Sequence, residues 1–440
     1  MCRCFRRPFF YLFPLLVAAA PLSARAADAQ LGDGQNALHS EYDVRGELWR
    51  NLINGNPAAD PADAQHLAAI DTAAKWATYR FDWGLEKDPG KLSEAYREFG
   101  ETLQAIRGAK ERGQKAGELF IKQVIPHAVE VVKQGHNAVA RINAARILAR
   151  IVEQNKDASE AQSDVLARLA GTNQGDLADA LTAIIKDPAQ IDAARFWAFR
   201  SLRLLLALPQ PTPPALPREK EEAALGAVVK FLQDRNKPFP PGTPPDEIDG
   251  YRYLRREALA ALAQGRYPTL ADKTQPTLVL LKVVARDGVA PEPRMDERVE
   301  AAVGVARAQP EFDKDYQPDY AAHQLGLFVA DFVAHYGQGK QGEADAPTIQ
   351  PWRVEASRLI EALELMKAQT KNAHAGRVAD VCTELLKKVE KGMAGTNPFD
   401  LEQVLGAEAS PGQSLYKGVA DSTVKPANRK DDGAAEKSDK

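Results

Sequence analysis

The sequence predicts an all-α protein: an α-α superhelix of antiparallel helix pairs behind a helical N-terminal cap. Three observations lead there. Apolar residues recur at three- and four-residue steps through most of the 440 residues, the period of helices that bury one face. Breaks such as Pro89-Gly90 and Gly135 punctuate these runs. One pattern, Arg-x-x-Ala-x-x-x-(Leu/Val), recurs at Arg141/Ala144/Leu148, Arg195/Ala198/Leu202, Arg255/Ala258/Leu262 and Arg298/Ala301/Val305. Steps of three and seven residues keep its members on one helical stripe.

Residues 1–26 read as a signal peptide. Arg3, Arg6 and Arg7 precede a short apolar run, Phe9 to Ala20, and Ala24-Arg25-Ala26 offers small residues for cleavage between Ala26 and Ala27. The run is too short for a membrane span and Pro14 interrupts it. Arg6-Arg7 loosely resembles a twin-arginine signal, but the strength of the apolar run favours Sec-type export to the periplasm or the extracellular space. No later stretch is long and apolar enough to span a membrane. Four arginines and no acid leave with the signal, so a net charge of −3 becomes −7. A phosphate-neutralising surface is not expected from that balance, nor is nucleic acid as a partner.

Residues 27–37 read as a flexible linker, and 38–112 as the helical cap. Asp60-Pro61-Ala62-Asp63 starts one helix. Leu92, Tyr96, Phe99, Leu103 and Ile106 share a face of the next. Trp49, Trp76 and Trp83 crowd this segment and read as packing for the end of an array. The repeats proper are expected over 113–310. Their best unit places Pro126 inside a first helix ended by Gly135, where it should kink the helix. NAVARINAARILARIVE, Asn137 to Glu153, forms the second helix. On its wheel Arg146, Arg150 and Glu153 face outward, whereas Arg141 falls among the apolar residues.

Successive pattern arginines are 54, 60 and 43 residues apart. Only the last spacing matches a single repeat of about 40–47 residues. The longer two leave room for an insertion each, and proline-rich stretches at 209–217 and 238–245 read as stiff loops of that kind. Val165 to Ala170 and Leu177 to Ile185 read as separate helical segments. Further helices are expected over 311–405, with a flexible break at 337–347, and 406–440 reads as a disordered tail.

These residues resemble the HEAT-repeat family of α-solenoids, in an exported, bacterial-type form. The likeness is carried by Pro126, Arg141, Ala144, Ala145 and Leu148, and by the second-helix pattern downstream. It implies an armadillo-like helical fold and a scaffold that binds a protein or peptide partner on its concave face, with no activity of its own. In that family the arginine bonds an Asp in the turn and ties neighbouring repeats together. Here only Arg255 has an Asp six residues earlier, Asp249; Asp192 and Asp296 stand nearer to Arg195 and Arg298. Arg141, Arg195, Arg255 and Arg298 are therefore expected to form a structural ladder between repeats.

Catalytic, cofactor-binding and metal-binding residues are not indicated. HExxH, Walker, GxGxxG, GxSxG and CxxC patterns are missing from the mature chain. Asp313, Asp315 and Asp319 suggest a calcium loop, but the glycine and the bidentate Glu are missing. Asp319/His323 and Asp331/His335 are spaced for surface ion pairs. Cys382 is alone in the mature chain and reads as a small buried hydrophobe. A second functional reading puts a ligand-binding or enzymatic site in the N-terminal segment, lined by Trp49, Trp76, Trp83, Tyr42, Tyr79, Asp71 and Glu86.

Overall fold

The computed structural model describes residues 35–56, 60–82, 88–153, 160–208, 216–339, 349–370, 372–393, 401, 405 and 414–424. Among them run fourteen α-helices: α1 (Gln35–Ile53), α2 (Ala64–Tyr79), α3 (Pro89–Gly108), α4 (Glu111–Gln134), α5 (Ala138–Val152), α6 (Glu160–Lys186) and α7 (Asp192–Leu206). They continue as α8 (Arg218–Asp234), α9 (Pro245–Leu262), α10 (Pro276–Ala285), α11 (Met295–Arg307), α12 (Pro318–Gly339), α13 (Ile349–Gln369) and α14 (Ala373–Glu390). The described residues include no strand, only an isolated bridge between Tyr316 and Tyr416. The expected signal peptide with Ala26 and Ala27, and most of the first proline-rich stretch, lie outside the described residues.

Helices pack on their second neighbours along the chain, which sorts them into two layers. Helices α4, α6, α8, α10, α12 and α14 form the first layer, and α5, α7, α9, α11 and α13 the second. Helix α2 continues the first layer at its N-terminal end, and α1 packs across α2 and α4. The four pattern arginines each lie on a second-layer helix: α5, α7, α9 and α11. Between the layers runs one apolar core, to which every pair contributes, from Phe120 and Ile147 through Phe199, Leu259 and Val299 to Phe332 and Leu386. Stacking does not stop at residue 310, because α12 and α13 extend the two layers over α10 and α11.

Local chemistry accounts for most helix ends. Asp63 accepts from the backbone amides of Gln65 and His66, and Asn137 from Ala140 at 2.7 Å, each satisfying amides at a helix start. Proline opens α3, α9, α10 and α12, where its missing N–H costs nothing. Pro126 is carried through an unbroken α4; both it and Lys122, whose carbonyl loses its helical partner, are solvent-exposed.

The structure departs from the sequence pattern in three places. Segments 165–170 and 177–185 belong to one 27-residue helix, α6, which crosses Gly171 and Gly175. The long first arginine spacing is thus taken up by helix length rather than by an insertion, and both proline-rich stretches fall in the second. The second stretch is exposed and held at one point, where Phe239 packs edge-on to Tyr251 at 5.7 Å. Finally, part of the stretch expected to be disordered is packed. Leu415 and Tyr416 are buried, the Tyr416 hydroxyl donates to the Pro268 carbonyl at 2.5 Å, and Gln317 and Lys417 amides bond Leu415 and Asp315 carbonyls.

Close helix approach makes one glycine irreplaceable. A Cβ on Gly304 in α11 would stand 2.7 Å from the Ala263 Cα and from a Leu280 methyl. A valine there has to push α11 off the end of α9. Gly304→Val is expected to lower unfolding free energy by about 1–3 kcal/mol, measurable as an earlier midpoint in urea with the helical circular-dichroism signal retained.

Candidate functional site

Three regions carry organised side chains: the ladder, the N-terminal cluster and the outer surface of the second layer. The ladder arginines do not all do the same thing. Arg141 donates from Nε to the carbonyl of Gly135, the residue that ends α4, and is half-buried. Arg195 donates to the carbonyl of Asp187, just past α6, at 2.6 Å. Arg298 donates to that of Val284, in the last turn of α10, at 2.9 Å. In three pairs, then, the arginine of the second helix neutralises the negative end of the first helix's dipole and bonds a carbonyl left without a helical partner. In the remaining pair Tyr251 takes that part, donating to the carbonyl of Arg235 at the end of α8.

Ties between pairs come from the carboxylates. Arg255, 2 % exposed, reaches forward to Glu297 on α11 at 2.6 Å and to the Pro291 carbonyl at 2.8 Å. The other oxygen of Glu297 accepts from the amide of Arg294 and so caps α11 as well. Asp192 bonds Arg195 on its own helix and Arg235 at the end of α8. Arg298 reaches Asp331 on α12 at 2.5 Å rather than the nearer Asp296. Asp249 bonds Arg294 rather than Arg255. Among the described residues Arg141 meets no carboxylate, so its role stays within its own pair. An outer network continues the ties, with Arg358 on α13 holding Glu300 on α11 through both oxygens and Arg256 on α9 near Glu300 and Glu355.

Asp331 is the crossing point of the last tie. It accepts from Arg298, lies 3.6 Å from Arg286, and pairs with His335 at 3.1 Å. Burial alone would raise its pKa, but the bonds from His335 and Arg298 outweigh that and hold it well below the usual carboxylate range. The bond to Asp331 in turn raises His335. The expected Asp331/His335 pair forms. Asp319, by contrast, turns away from His323 to accept from Asn372 and from the amide of Ala375 at the start of α14. His323 instead stacks on His374 at 6.1 Å. Cys382 is fully buried, and burial pushes its thiol up.

The N-terminal cluster is held together by internal contacts. Trp49 is buried and stacks on Phe120 at 4.8 Å, so it serves the core. Trp76 stacks on Tyr42 at 4.9 Å with His39 edge-on, and Trp83 and Glu86 lie outside the described residues. Asp71, His127, Tyr79 and Glu130 form a hydrogen-bonded chain between α2 and α4, with His127 at 2.9 Å from both Asp71 and Tyr79. Burial and the bond to Glu130 raise the Tyr79 hydroxyl far above its usual range, which makes it a poor nucleophile and a good structural donor. No group of three or more His, Cys, Asp or Glu able to hold a metal exists among the described residues.

On the second layer's outer surface lies a ribbon that the sequence did not announce. The Arg146 guanidinium sits 4.1 Å from the Tyr96 ring centroid and 5.3 Å from that of Trp197. Arg200 also approaches the Trp197 ring, at 5.5 Å. Phe196 meets Trp197 edge-on and stacks on Tyr253 at 5.2 Å and 11°. Tyr253 is 55 % exposed. The ribbon thus crosses α3, α5, α7 and α9, and neither Arg146 nor Arg200 forms an ion pair among the described residues. A signal was present, because both arginines stand five residues after a ladder arginine.

The chain matches no family model, no curated protein and no solved structure. Its function therefore has to be argued from its own residues.

Two measurements probe the ties. Removing one partner of a fully buried pair costs about 3–5 kcal/mol; Arg255→Ala should fall in that range, whereas half-buried Arg141→Ala should cost less than about 1.5 kcal/mol. Urea titrations of the two variants decide this. Asp331 has a depressed pKa in the folded state, so its stabilisation is complete above about pH 4 and is lost as the pH falls below that. Asp331→Asn should be less stable than the parent at pH 7, with the gap closing in melts recorded below about pH 4.

Proposed function

We propose that the protein is a non-enzymatic helical-repeat scaffold whose second-layer surface binds a protein or peptide partner. The observation that carries this reading is the ribbon of Tyr96, Arg146, Trp197, Phe196, Arg200 and Tyr253. Tryptophan, tyrosine and arginine are the residues that dominate protein interfaces: the aromatics bring large rigid contact areas with few rotamers to fix, and arginine brings a planar charge with several donors. Two arginines without carboxylate partners among the described residues, set among aromatic rings, favour an acidic segment whose carboxylates alternate with apolar side chains. In a stack of this kind the second helices line the concave face, the place expected for a partner. Export through residues 1–26 belongs to the same proposal and would put the partner in the cell envelope or outside the cell.

The alternative of a ligand site in the N-terminal cluster has less to support it. Trp49 is in the core, Trp76 is occupied by Tyr42, and Asp71 and Tyr79 are engaged with His127.

A photo-crosslinking residue at position 253 should capture one discrete partner in cells, whereas the same residue at exposed position 230 on α8 should not. Trp197→Ala should weaken that partner's binding by about 2 kcal/mol, or thirtyfold. Adducts that form equally from both positions, or that survive Trp197→Ala unchanged, would overturn the proposal.

A further inference from the structure

The first layer opens between α8 and α10. Helix α10 has ten residues and spans about 15 Å, whereas its layer neighbours α8 and α12 have 17 and 22 residues. Loops 263–275 and 286–294 flank the short helix, and α8 and α10 touch less closely than α6 and α8. What remains is a cavity of about 450 Å³, a size common for small-molecule sites.

Its lining has two characters. Leu232 from α8, with Leu278, Val279 and Val283 from one face of α10, form an apolar wall, and Leu278 and Val279 are only partly covered by the protein. The other character is cationic. Lys282 on α10 and Arg255 on α9 both line the cavity. Arg255 is almost wholly buried, its Nε bonds Glu297 and its Nη1 bonds the Pro291 carbonyl. The remaining Nη2 is buried without accessible surface, so Arg255 shapes the cavity floor and does not offer it a free donor. Lys282, by contrast, is only partly buried and forms no ion pair among the described residues.

We propose that this cavity binds a small amphipathic carboxylate, with its apolar body along Leu232, Leu278, Val279 and Val283 and its carboxylate on Lys282. Charge selects the ligand class. Glu297 already balances Arg255, and Lys282 and Lys273 are opposed in the lining by Asp287 alone. One positive charge remains, which suits a monoanion and disfavours a phosphate dianion. The site lies on the first layer and uses none of the aromatic–arginine ribbon, so it stands or falls apart from the scaffold proposal.

Isothermal titration calorimetry of the full chain with octanoate tests it. One site is expected, with octanol at least tenfold weaker and inorganic phosphate weaker still. Lys282→Gln should weaken octanoate about tenfold, and Val279→Trp should abolish binding by filling the cavity. Trp197→Ala should leave binding unchanged, and thermal melts confirm that each variant is folded. A leucine-ended peptide with a free C-terminal carboxylate that binds more tightly than octanoate, and loses this on amidation, supports the site and assigns a chain terminus as the source of the carboxylate. Octanol or phosphate binding as well as octanoate, no binding at millimolar octanoate, or binding unaffected by Val279→Trp would each overturn the proposal.

Discussion

The stack depends on the buried bond between Arg255 and Glu297. It is the point where the second layer passes from α9 to α11, and both side chains are almost wholly removed from water. Desolvating two charges is expensive, and the structure offsets that by using each charge more than once. Glu297 neutralises Arg255 with one oxygen and caps α11 with the other. Arg255 satisfies the carbonyl of Pro291 as well, and its guanidinium lies 5.4 Å from the ring centre of Tyr251. Tyr251 bonds the end of α8, so the end of one helix, the start of another and the contact between successive pairs are fixed together. An apolar pair of the same volume would fill the space without fixing the register.

The same logic, weaker, appears at each junction. Arg298 and Asp331 join α11 to α12, Asp192 joins α7 to the end of α8, and Arg358 with Glu300 joins α13 to α11. At the N-terminal end buried Asp82 accepts both from the amide and from the ring of His136, in the turn between α4 and α5. Each of the four pairs from α4 to α11 therefore carries its own internal arginine or tyrosine stitch and a link through a carboxylate to a neighbour. Repeat arrays owe their stability to these two kinds of contact, within and between units.

Much of this architecture was legible in the sequence because it is periodic. The apolar step gave the helices, and Arg141, Arg195, Arg255 and Arg298 marked the second helix of four successive pairs. What the ladder bonds was not legible. A helix wheel places a side chain on a stripe but says nothing of the carbonyls and acids across the interface, so Asp331 and Glu297, 33 and 42 residues from their arginines, escaped notice. Segments 165–170 and 177–185 read as separate in the sequence, whereas packing against α4 and α8 joins them in one helix across Gly171 and Gly175. The ribbon was hidden because its members come from four helices, and the cavity because it depends on the shortness of α10 relative to its neighbours. The apolar content of 406–440 suggested disorder, yet a few residues sufficed for packing: Leu415, Tyr416 and Val424 find a surface prepared for them.

That returning segment changes the thermodynamic character of the molecule. A linear array can fray from either end, one pair at a time, because each unit touches only its neighbours. Here Tyr416 bonds a carbonyl 148 residues earlier, between α9 and α10, and Val424 bonds the hydroxyl of Tyr320 on α12. The chain from Pro268 to Val424 is thereby closed into a circuit whose members cannot leave singly. The C-terminal half is set to melt as one cooperative block, and progressive, unit-by-unit opening is confined to the N-terminal half. The array has one loose end, and it is the end that begins with α1.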